Sequence, residues 1–410
     1  MGLRRAGRLM TGPMDRGTRR RAWRLGALAL VLVLAAGVGA GLVLRPTTDL
    51  RLGAAVTDCH PLDLVDATTG RAITGIEDLA PDPVAGWLYL SAFDRRAVAH
   101  ELAQTGRAQT QGALYRLRAA DLERAGPLTL EPLAGAAPVR PHGIALSADR
   151  RRLFVVDRAN APAAAGAAIA PRLRAFDIAA DRLVPAWTLD HPGLCRANDV
   201  VALGPDRVAV TLDHGACDGW RRGLEDVFKL PRARLAIAGP EGLVRTPERF
   251  VFANGVVRMP DGRLAVAETR ARRLRLVSPD RSGQEPGAAA PGTETPDTET
   301  AGAKLPGAET HVPLPFPPDN LTPAPGGGLI AAGPPRLMRY ALFCAGWAGV
   351  DTTPSAVAHV SGQGRVTPLV AGALPGLSGA TVAAQLNRHL VIASGYDRGL
   401  NVCRLTTGRP

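Results

Sequence analysis

The chain has 410 residues, 46% of them hydrophobic and 4% aromatic, so it can bury a large core and is not typical of a disordered protein. Its formal net charge is +12, and about +7 of this comes from residues 1–24, which hold eight Arg and one Asp. The remainder has no basic cluster interleaved with aromatic residues, which argues against nucleic-acid binding.

The N-terminus predicts a membrane segment. Residues 1–24 form a basic tail, residues 25–44 contain no charge and are long enough to span a bilayer as a helix, and residues 45–58 form a linker. The basic flank predicts a cytoplasmic N-terminus and an exported C-terminal part. The alternative is a signal peptide cleaved near residues 38–40, which would give a secreted protein, but the long basic tail favours an uncleaved anchor.

The cysteine content is consistent with an exported domain. Export makes disulfides the expected state of the five cysteines, which are Cys59, Cys195, Cys217, Cys344 and Cys403. Because the sequence contains no Cys-x-x-Cys motif, we do not expect a zinc site of the usual ligand spacing.

One unit occurs six times after the linker. Each copy has a polar start, an apolar strand, a turn and a second apolar strand, and the copies begin at residues 77, 142, 198, 254, 319 and 379. The gaps leave room for about two further strands per copy, and we see no long amphipathic helical pattern after residue 59. The pattern predicts an all-β, six-bladed β-propeller over residues 59–404, with a β-sandwich as the alternative.

Two segments lie outside the repeat. Residues 282–310 are rich in Pro, Gly, Thr and Glu with almost no bulky apolar residues, which predicts a flexible insertion. Residues 159–171 are a shorter, Ala-rich loop of the same kind. We expect neither segment to carry chemistry.

The polar starts are candidate metal ligands. In a propeller the innermost strands line a central channel, so residues that begin these strands converge on its axis. Here they are rich in oxygen donors, with one imidazole and no thiolate, which favours Ca²⁺. The alternative is that they only form turns, but in the third and fourth copies the sequences GPDR and PDG already supply the turn.

The motifs at these starts resemble a known family. GIEDL, PHGI, ANDVVALGPD, FANGVVRMPDGRLAVAE, PDNL and SGATVAAQLNRHLVIASGYDRGLNVC look, in this order, like the paraoxonase/arylesterase family of calcium-dependent lactonases, within the wider SMP-30/gluconolactonase-like propellers. The resemblance implies two calcium ions. It assigns a catalytic ion to Glu77, Asn198, Asn254, Asp319 and Asn320, a structural ion to Asp78, Asp199 and the Ile144 carbonyl, and general-base catalysis to His142.

The sequence departs from the family at two histidines. The second catalytic histidine falls at Arg158, and another histidine near the mouth of the channel is replaced in residues 333–336. Counting across the turn of the second copy places Asp157 opposite His142, so we expect Asp157 to orient the imidazole. The alternative is that His142 only forms hydrogen bonds to the metal ligands.

The sequence also predicts two disulfides. A Cys59–Cys403 bond would join the two ends of the ring, as the matching pair does in the family. Cys195 and Cys217 flank the hairpin built on GPDR and lie nearly opposite each other, which leaves Cys344 unpaired.

Together these features predict a calcium-dependent hydrolase of small-molecule lactones or aryl esters, anchored to a membrane with its propeller on the extracytoplasmic side. Two alternatives remain open. One is a gluconolactonase-like sugar-lactone hydrolase with a single ion, and the other is a non-catalytic, calcium-stabilised binding propeller.

Overall fold

The computed structural model of the protein describes residues 49–161, 168–279 and 310–406, together with Gly41 and Arg45. The predicted membrane segment, residues 25–44, lies outside these residues except for Gly41. Within the described part of the chain, no helix is long and apolar enough to cross a membrane. The predicted insertion at residues 282–310 also lies outside the described residues except for Thr310.

The compact unit Thr47–Pro410 consists mainly of antiparallel sheets. Its first strands are β1 (Arg51–Leu52), β2 (Val56–Leu62) and β3 (Leu64–Asp66). Blade 1 contains β4 (Ile76–Asp82), β5 (Trp87–Ala92) and β6 (Ala113–Arg118), and β7 (Leu128–Leu130) pairs in parallel with β3. Blade 2 contains β8 (Pro141–Leu146), β9 (Arg152–Asp157), β10 (Arg172–Ala179) and β11 (Arg182–Leu189).

The remaining blades follow the same order from the channel outwards. Blade 3 contains β12 (Ala197–Ala202), β13 (Val208–Leu212), β14 (Arg234–Gly239) and β15 (Gly242–Arg245). Blade 4 contains β16 (Ala253–Arg258), β17 (Leu264–Glu268), β18 (Arg273–Val277) and β19 (Thr310–Pro313). Blade 5 contains β20 (Leu321–Pro323), β21 (Leu329–Gly333), β22 (Ser355–Val360) and β23 (Val366–Gly372), and blade 6 contains β24 (Val382–Leu386), β25 (His389–Ala393) and β26 (Leu400–Leu405).

The six blades close into a ring, which confirms the predicted six-bladed β-propeller. The inner strands β4, β8, β12, β16, β20 and β24 contact one another in turn, and β24 returns to β4. Strand β2 pairs with β26, so the N-terminal end of the ring completes the last blade, and β1 extends blade 5 to five strands. The prediction of four strands in every blade is wrong for blade 1, which has three, and for blade 5.

The hydrophobic core lies between the blades. Each of six clusters of buried residues joins two neighbouring blades, the last one joining blade 6 to blade 1. Strands buried on both faces read as continuous apolar runs, which explains sequences such as LFVV in β9 and LAVA in β17. The ring therefore gives the inner strands a rigid support.

In the described part of the propeller three α-helices interrupt the β pattern, and the sequence patterns did not predict them. They are α1 (Arg95–Thr105), α2 (Gly219–Phe228) and α3 (Leu337–Cys344). Each follows the second strand of its blade, and that strand runs antiparallel to the inner one. The helices therefore lie at the end of the channel where the inner strands begin.

Both predicted disulfides are confirmed. Cys59 on β2 is bonded to Cys403 on β26, at a separation of 344 positions in sequence. Cys195 is bonded to Cys217, and Cys344 at the end of α3 keeps a free thiol.

Candidate metal centre

The inner strands begin with irregular backbone pairing. In four blades the register with the second strand shifts at the polar start, between Ile76 and Asp78, Pro141 and Ile144, Ala197 and Val200, and Ala253 and Val256. Bulges of this kind re-aim neighbouring side chains. As a result, the side chains of adjacent residues such as Asn198 and Asp199 lie at two different levels along the channel axis.

We call the two levels the upper set and the lower pair. The lower pair, Asp78 and Asp199, lines a channel of about 270 Å³ that continues along the inner strands. The upper set lies nearer the starts of those strands. It consists of Glu77, Asn198, Asn254, Asp319 and Asn320.

Glycine follows the polar residue in two starts because the next blade lies too close for a larger side chain. A Cβ on Gly143 would lie 2.5 Å from the Cα of Asp199, and one on Gly255 would lie 2.7 Å from the Cα of Asn320. The motifs HGI and NGV therefore have a structural origin, since they let neighbouring starts approach each other.

The three amides of the upper set are held by their nitrogen atoms. Asn198 donates to Asp213 Oδ2 at 3.4 Å, and Asn320 donates to the Glu77 carbonyl oxygen at 2.9 Å. Asn254 donates to Thr269 Oγ1 at 3.2 Å and also to Asp319. The amide oxygens of all three are buried and have no hydrogen-bond partner among the described residues, a state that costs about 1–3 kcal/mol per group.

The carboxylates of the upper set are buried, and Arg95 forms an ion pair with one of them. Burial raises the pKa of Glu77, although its Oε2 atom lies 3.2 Å from a guanidinium nitrogen of Arg95, the first residue of α1. Burial and the nearby charge of Glu77 raise the pKa of Asp319 well above its usual range. These groups therefore favour a nearby positive charge when they are ionised.

The lower pair is held by backbone N–H groups of neighbouring blades. Asp78 Oδ2 accepts from the Ile144 N–H at 2.7 Å, and Asp199 Oδ2 accepts from the Val256 N–H at 2.7 Å. Burial raises the pKa of Asp78 to about 7, and burial together with the charge of Asp78 raises the pKa of Asp199 well above its usual range. The two carboxylates lie close enough to form a hydrogen bond with each other.

His142 lies beside the upper set, but no carboxylate of the described residues lies at hydrogen-bond distance from its ring. Its Nδ1 atom is buried without a hydrogen-bond partner, 3.8 Å from Glu77 Oε1. Burial, and then the charges of Arg95, Arg158 and Arg196, lower the pKa of His142 well below its usual range, so the imidazole is neutral at pH 7.

The structure corrects the prediction that Asp157 orients His142. The Asp157 carboxylate accepts from the Arg140 backbone N–H at 2.9 Å and from the Arg172 guanidinium at 2.9 Å. Arg174 lies 3.5 Å from the same carboxylate. Counting placed Asp157 opposite His142, whereas across the strands it pairs with the preceding residue, Pro141, and its carboxylate is bound by this arginine cluster.

Sequence reasoning missed several polar residues near the upper set. His214 follows β13 and lies between Asp213 at 2.6 Å and Asp226 at 3.1 Å. Burial alone would lower the pKa of His214, but these hydrogen bonds raise it. Arg196 donates to both Asp213 oxygens, at 2.7 and 2.9 Å. Their position in the sequence could have indicated them, because these residues directly follow β13 or precede β12.

The donor set fits a hard cation. Within the described ranges, no group of three or more His, Cys, Asp or Glu side chains is disposed to hold a metal ion. The upper set instead combines two carboxylates with three amides, whose oxygens lack any other partner. Such neutral and charged oxygen donors together are typical of Ca²⁺ sites.

The fold and site together define a six-bladed β-propeller with an oxygen-rich polar centre on its axis. No protein-family model matches the chain. Serum paraoxonase/arylesterase 2 of Rattus norvegicus is 28% identical over 243 residues, which cover 56% of this chain and 64% of that protein. Serum paraoxonase/arylesterase 1 of Homo sapiens is 29% identical over 135 residues, which cover 33% of this chain and 37% of that protein.

The chain is therefore related to the paraoxonase/arylesterase proteins, as its motifs predicted, and the alignments span less than two thirds of those relatives. Among solved structures, the calcium-binding protein regucalcin of Agrobacterium tumefaciens superposes with a TM-score of 0.44 and 13% identity. That superposition covers 83% of this chain and 94% of regucalcin.

Proposed function

We propose that this protein is a calcium-dependent hydrolase of lactones or aryl esters. One observation carries the proposal: three buried amide oxygens without a partner lie beside two buried carboxylates at the same end of the channel. A hard cation would satisfy all of them at once. The sequence relation to paraoxonase/arylesterase proteins supports ester or lactone hydrolysis as the reaction.

The proposed ligands divide between the two levels. The upper set would hold a catalytic ion, and the lower pair with the Ile144 backbone would hold a structural one. A calcium ion in the upper set would supply Lewis acidity to a substrate carbonyl group. The three neutral amides suit that role because they complete the coordination without adding negative charge.

The chain's own residues define what else the site can do. A neutral His142 can accept a proton from an attacking water molecule, and its free Nδ1 atom faces the upper set. Arg95 fixes Glu77, because it also donates to the Gly75 and Gly395 carbonyl oxygens at 3.3 and 3.4 Å.

A second candidate function is a non-catalytic, calcium-stabilised binding propeller. Two observations favour it: Arg158 replaces the second histidine that the family pattern expects, and Asp157 is held away from His142 by arginines. His142 then has neither an imidazole nor a carboxylate partner to assist proton transfer.

Hydrolysis of a panel of lactones and aryl esters by the full-length protein, with calcium or with a chelator, separates the two functions. We expect hydrolysis that requires calcium and falls about 100-fold or more in His142→Gln, the range of general-base effects. His100→Gln is the matched control, because His100 is exposed on α1. Calcium binding without hydrolysis of any substrate would favour the binding propeller.

A further inference from the structure

Arg158 occupies an unusual position at the mouth of the channel. It directly follows β9, and its backbone N–H donates to the Arg140 carbonyl oxygen at 2.9 Å while its own carbonyl oxygen accepts from Arg140 Nε at 2.8 Å. Arg140 is buried and is bound in turn by the Ala108 carbonyl oxygen and by Asn160. The backbone that carries Arg158 is therefore firmly held.

The charge of Arg158 reaches the candidate centre. Its positive charge acts on His142, Glu77 and Tyr396, which come from three different blades. Burial, and then the charge of Arg196, lower the pKa of Arg158 to about 10, so it stays protonated at neutral pH. Because Arg158 follows β9, which runs antiparallel to the inner strand β8, it adds a positive charge at the end of the channel where the inner strands begin.

This cation lacks a counter-ion of its own. Among the described residues, the Arg158 guanidinium forms no hydrogen bond or ion pair. Asp157, its neighbour in sequence, is already bound by arginines. Asp213, the acid that most favours the charge of Arg158, is already bound through both oxygens by Arg196. A half-buried cation without a partner is unfavourable, and an incoming anion would relieve it.

The charge around His142 also favours an anion. Arg95, Arg158 and Arg196 all act on His142, and the acids nearby include Glu77, Asp213, Asp319 and Asp78. A divalent cation held by the upper set would offset the charge of two carboxylates and leave the three guanidinium groups less compensated.

We propose that Arg158, assisted by Arg95 and Arg196, binds a carboxylate group of the substrate, so that this protein hydrolyses acidic lactones or esters in preference to neutral ones. The inference rests on the proposed function and names its substrate class. A guanidinium group matches a carboxylate through two parallel N–H···O bonds, which gives both affinity and orientation. The substrate carbonyl would then be held next to His142.

Two substitutions and one control test the proposal. Arg158→Gln removes the charge, and Arg158→Lys keeps the charge but loses the forked geometry. Arg151→Gln makes the same change of charge at the opposite end of the β8–β9 hairpin, where Arg151 is exposed. Melting temperatures of all three full-length variants identify any that fail to fold.

The assay compares two lactones with the same ring, one of which carries a ring carboxylate. We expect the parent to have the higher kcat/KM for the acidic lactone. Arg158→Gln should lower that value about 10- to 100-fold, mainly through KM, and change the neutral lactone less than about threefold. The kcat/KM of Arg158→Lys for the acidic lactone should lie between those of the parent and Arg158→Gln, and the kcat/KM of Arg151→Gln should match that of the parent. Equal losses for both lactones, or no preference in the parent, would overturn the proposal.

Calorimetric titration with glutarate gives a readout that does not depend on hydrolysis. We expect glutarate to bind the calcium-loaded parent at least about tenfold more tightly than Arg158→Gln, because one charge-assisted pair is lost. Equal binding would refute the carboxylate subsite. If neither lactone is hydrolysed but glutarate binding still depends on Arg158, the subsite stands and the hydrolase function fails.

Discussion

The Cys59–Cys403 bond is predicted to stabilise the ring more than any local crosslink. It joins residues 344 apart in sequence, whereas Cys195–Cys217 joins residues 22 apart. In the chain-entropy model the longer loop stabilises the fold by about 6 kcal/mol and the shorter one by about 3.5 kcal/mol. Removing the first bond should therefore cost about 2.5 kcal/mol more than removing the second.

Guanidinium unfolding of the full-length protein measures this difference. The two double variants, Cys59→Ala/Cys403→Ala and Cys195→Ala/Cys217→Ala, each delete two sulfur atoms, so each is the other's control. We expect the lower midpoint for Cys59→Ala/Cys403→Ala, although β2 still pairs with β26. If this variant loses no more free energy of unfolding than its control, the closed-ring reasoning is wrong.

Three further outcomes test the site and its support. Gly395→Ala should weaken calcium binding about 10- to 100-fold in a calorimetric titration, because its Cβ would lie 2.0 Å from Glu77 Oε2; unchanged affinity would remove Glu77 from the ligand set. Asn198→Ala should lower kcat about 10-fold or more while the melting temperature changes little, and full activity would refute its role. Burial alone would raise the pKa of Asp66, but hydrogen bonds from Tyr115 and Thr69 lower it. These hydrogen bonds therefore stabilise the folded protein at pH values above the pKa of Asp66 in the unfolded chain, and the stabilisation is lost as pH falls through the pKa of Asp66 in the folded protein. Tyr115→Phe should therefore cost about 1.5 kcal/mol at pH 7 and less below pH 3, and a loss that does not depend on pH would contradict this.

The ring of inner strands can be predicted from the sequence because each blade repeats the same pattern of polar start, strand and turn. The polar starts of β4, β8, β12 and β16 coincide with the predicted copies, and the turns GPDR, PDG and SADR connect the predicted strand pairs. Apolar runs and turn chemistry are local properties, so they can be read without the fold. The Cys195–Cys217 pairing followed from the same local counting.

The mouth of the channel could not be predicted in the same way. Helix α1 does have local signals, since the Asp94 side chain caps it by accepting from the Ala97 N–H and Gly106 ends it in a left-handed conformation. The contact between Arg95 and Glu77, however, depends on where the helix docks. The prediction that Asp157 orients His142 was wrong for the same reason, because the arginine partners of Asp157 come from β10 and the start of β8.

Stepwise removal of calcium from the full-length protein, with bound calcium and the rate of lactone hydrolysis measured together, tests the central claim most directly. We expect up to two ions per chain. Loss of the first should abolish hydrolysis while the fold persists, loss of the second should lower the melting temperature, and added calcium should restore both. Hydrolysis at the full rate by protein that contains no calcium would contradict the account.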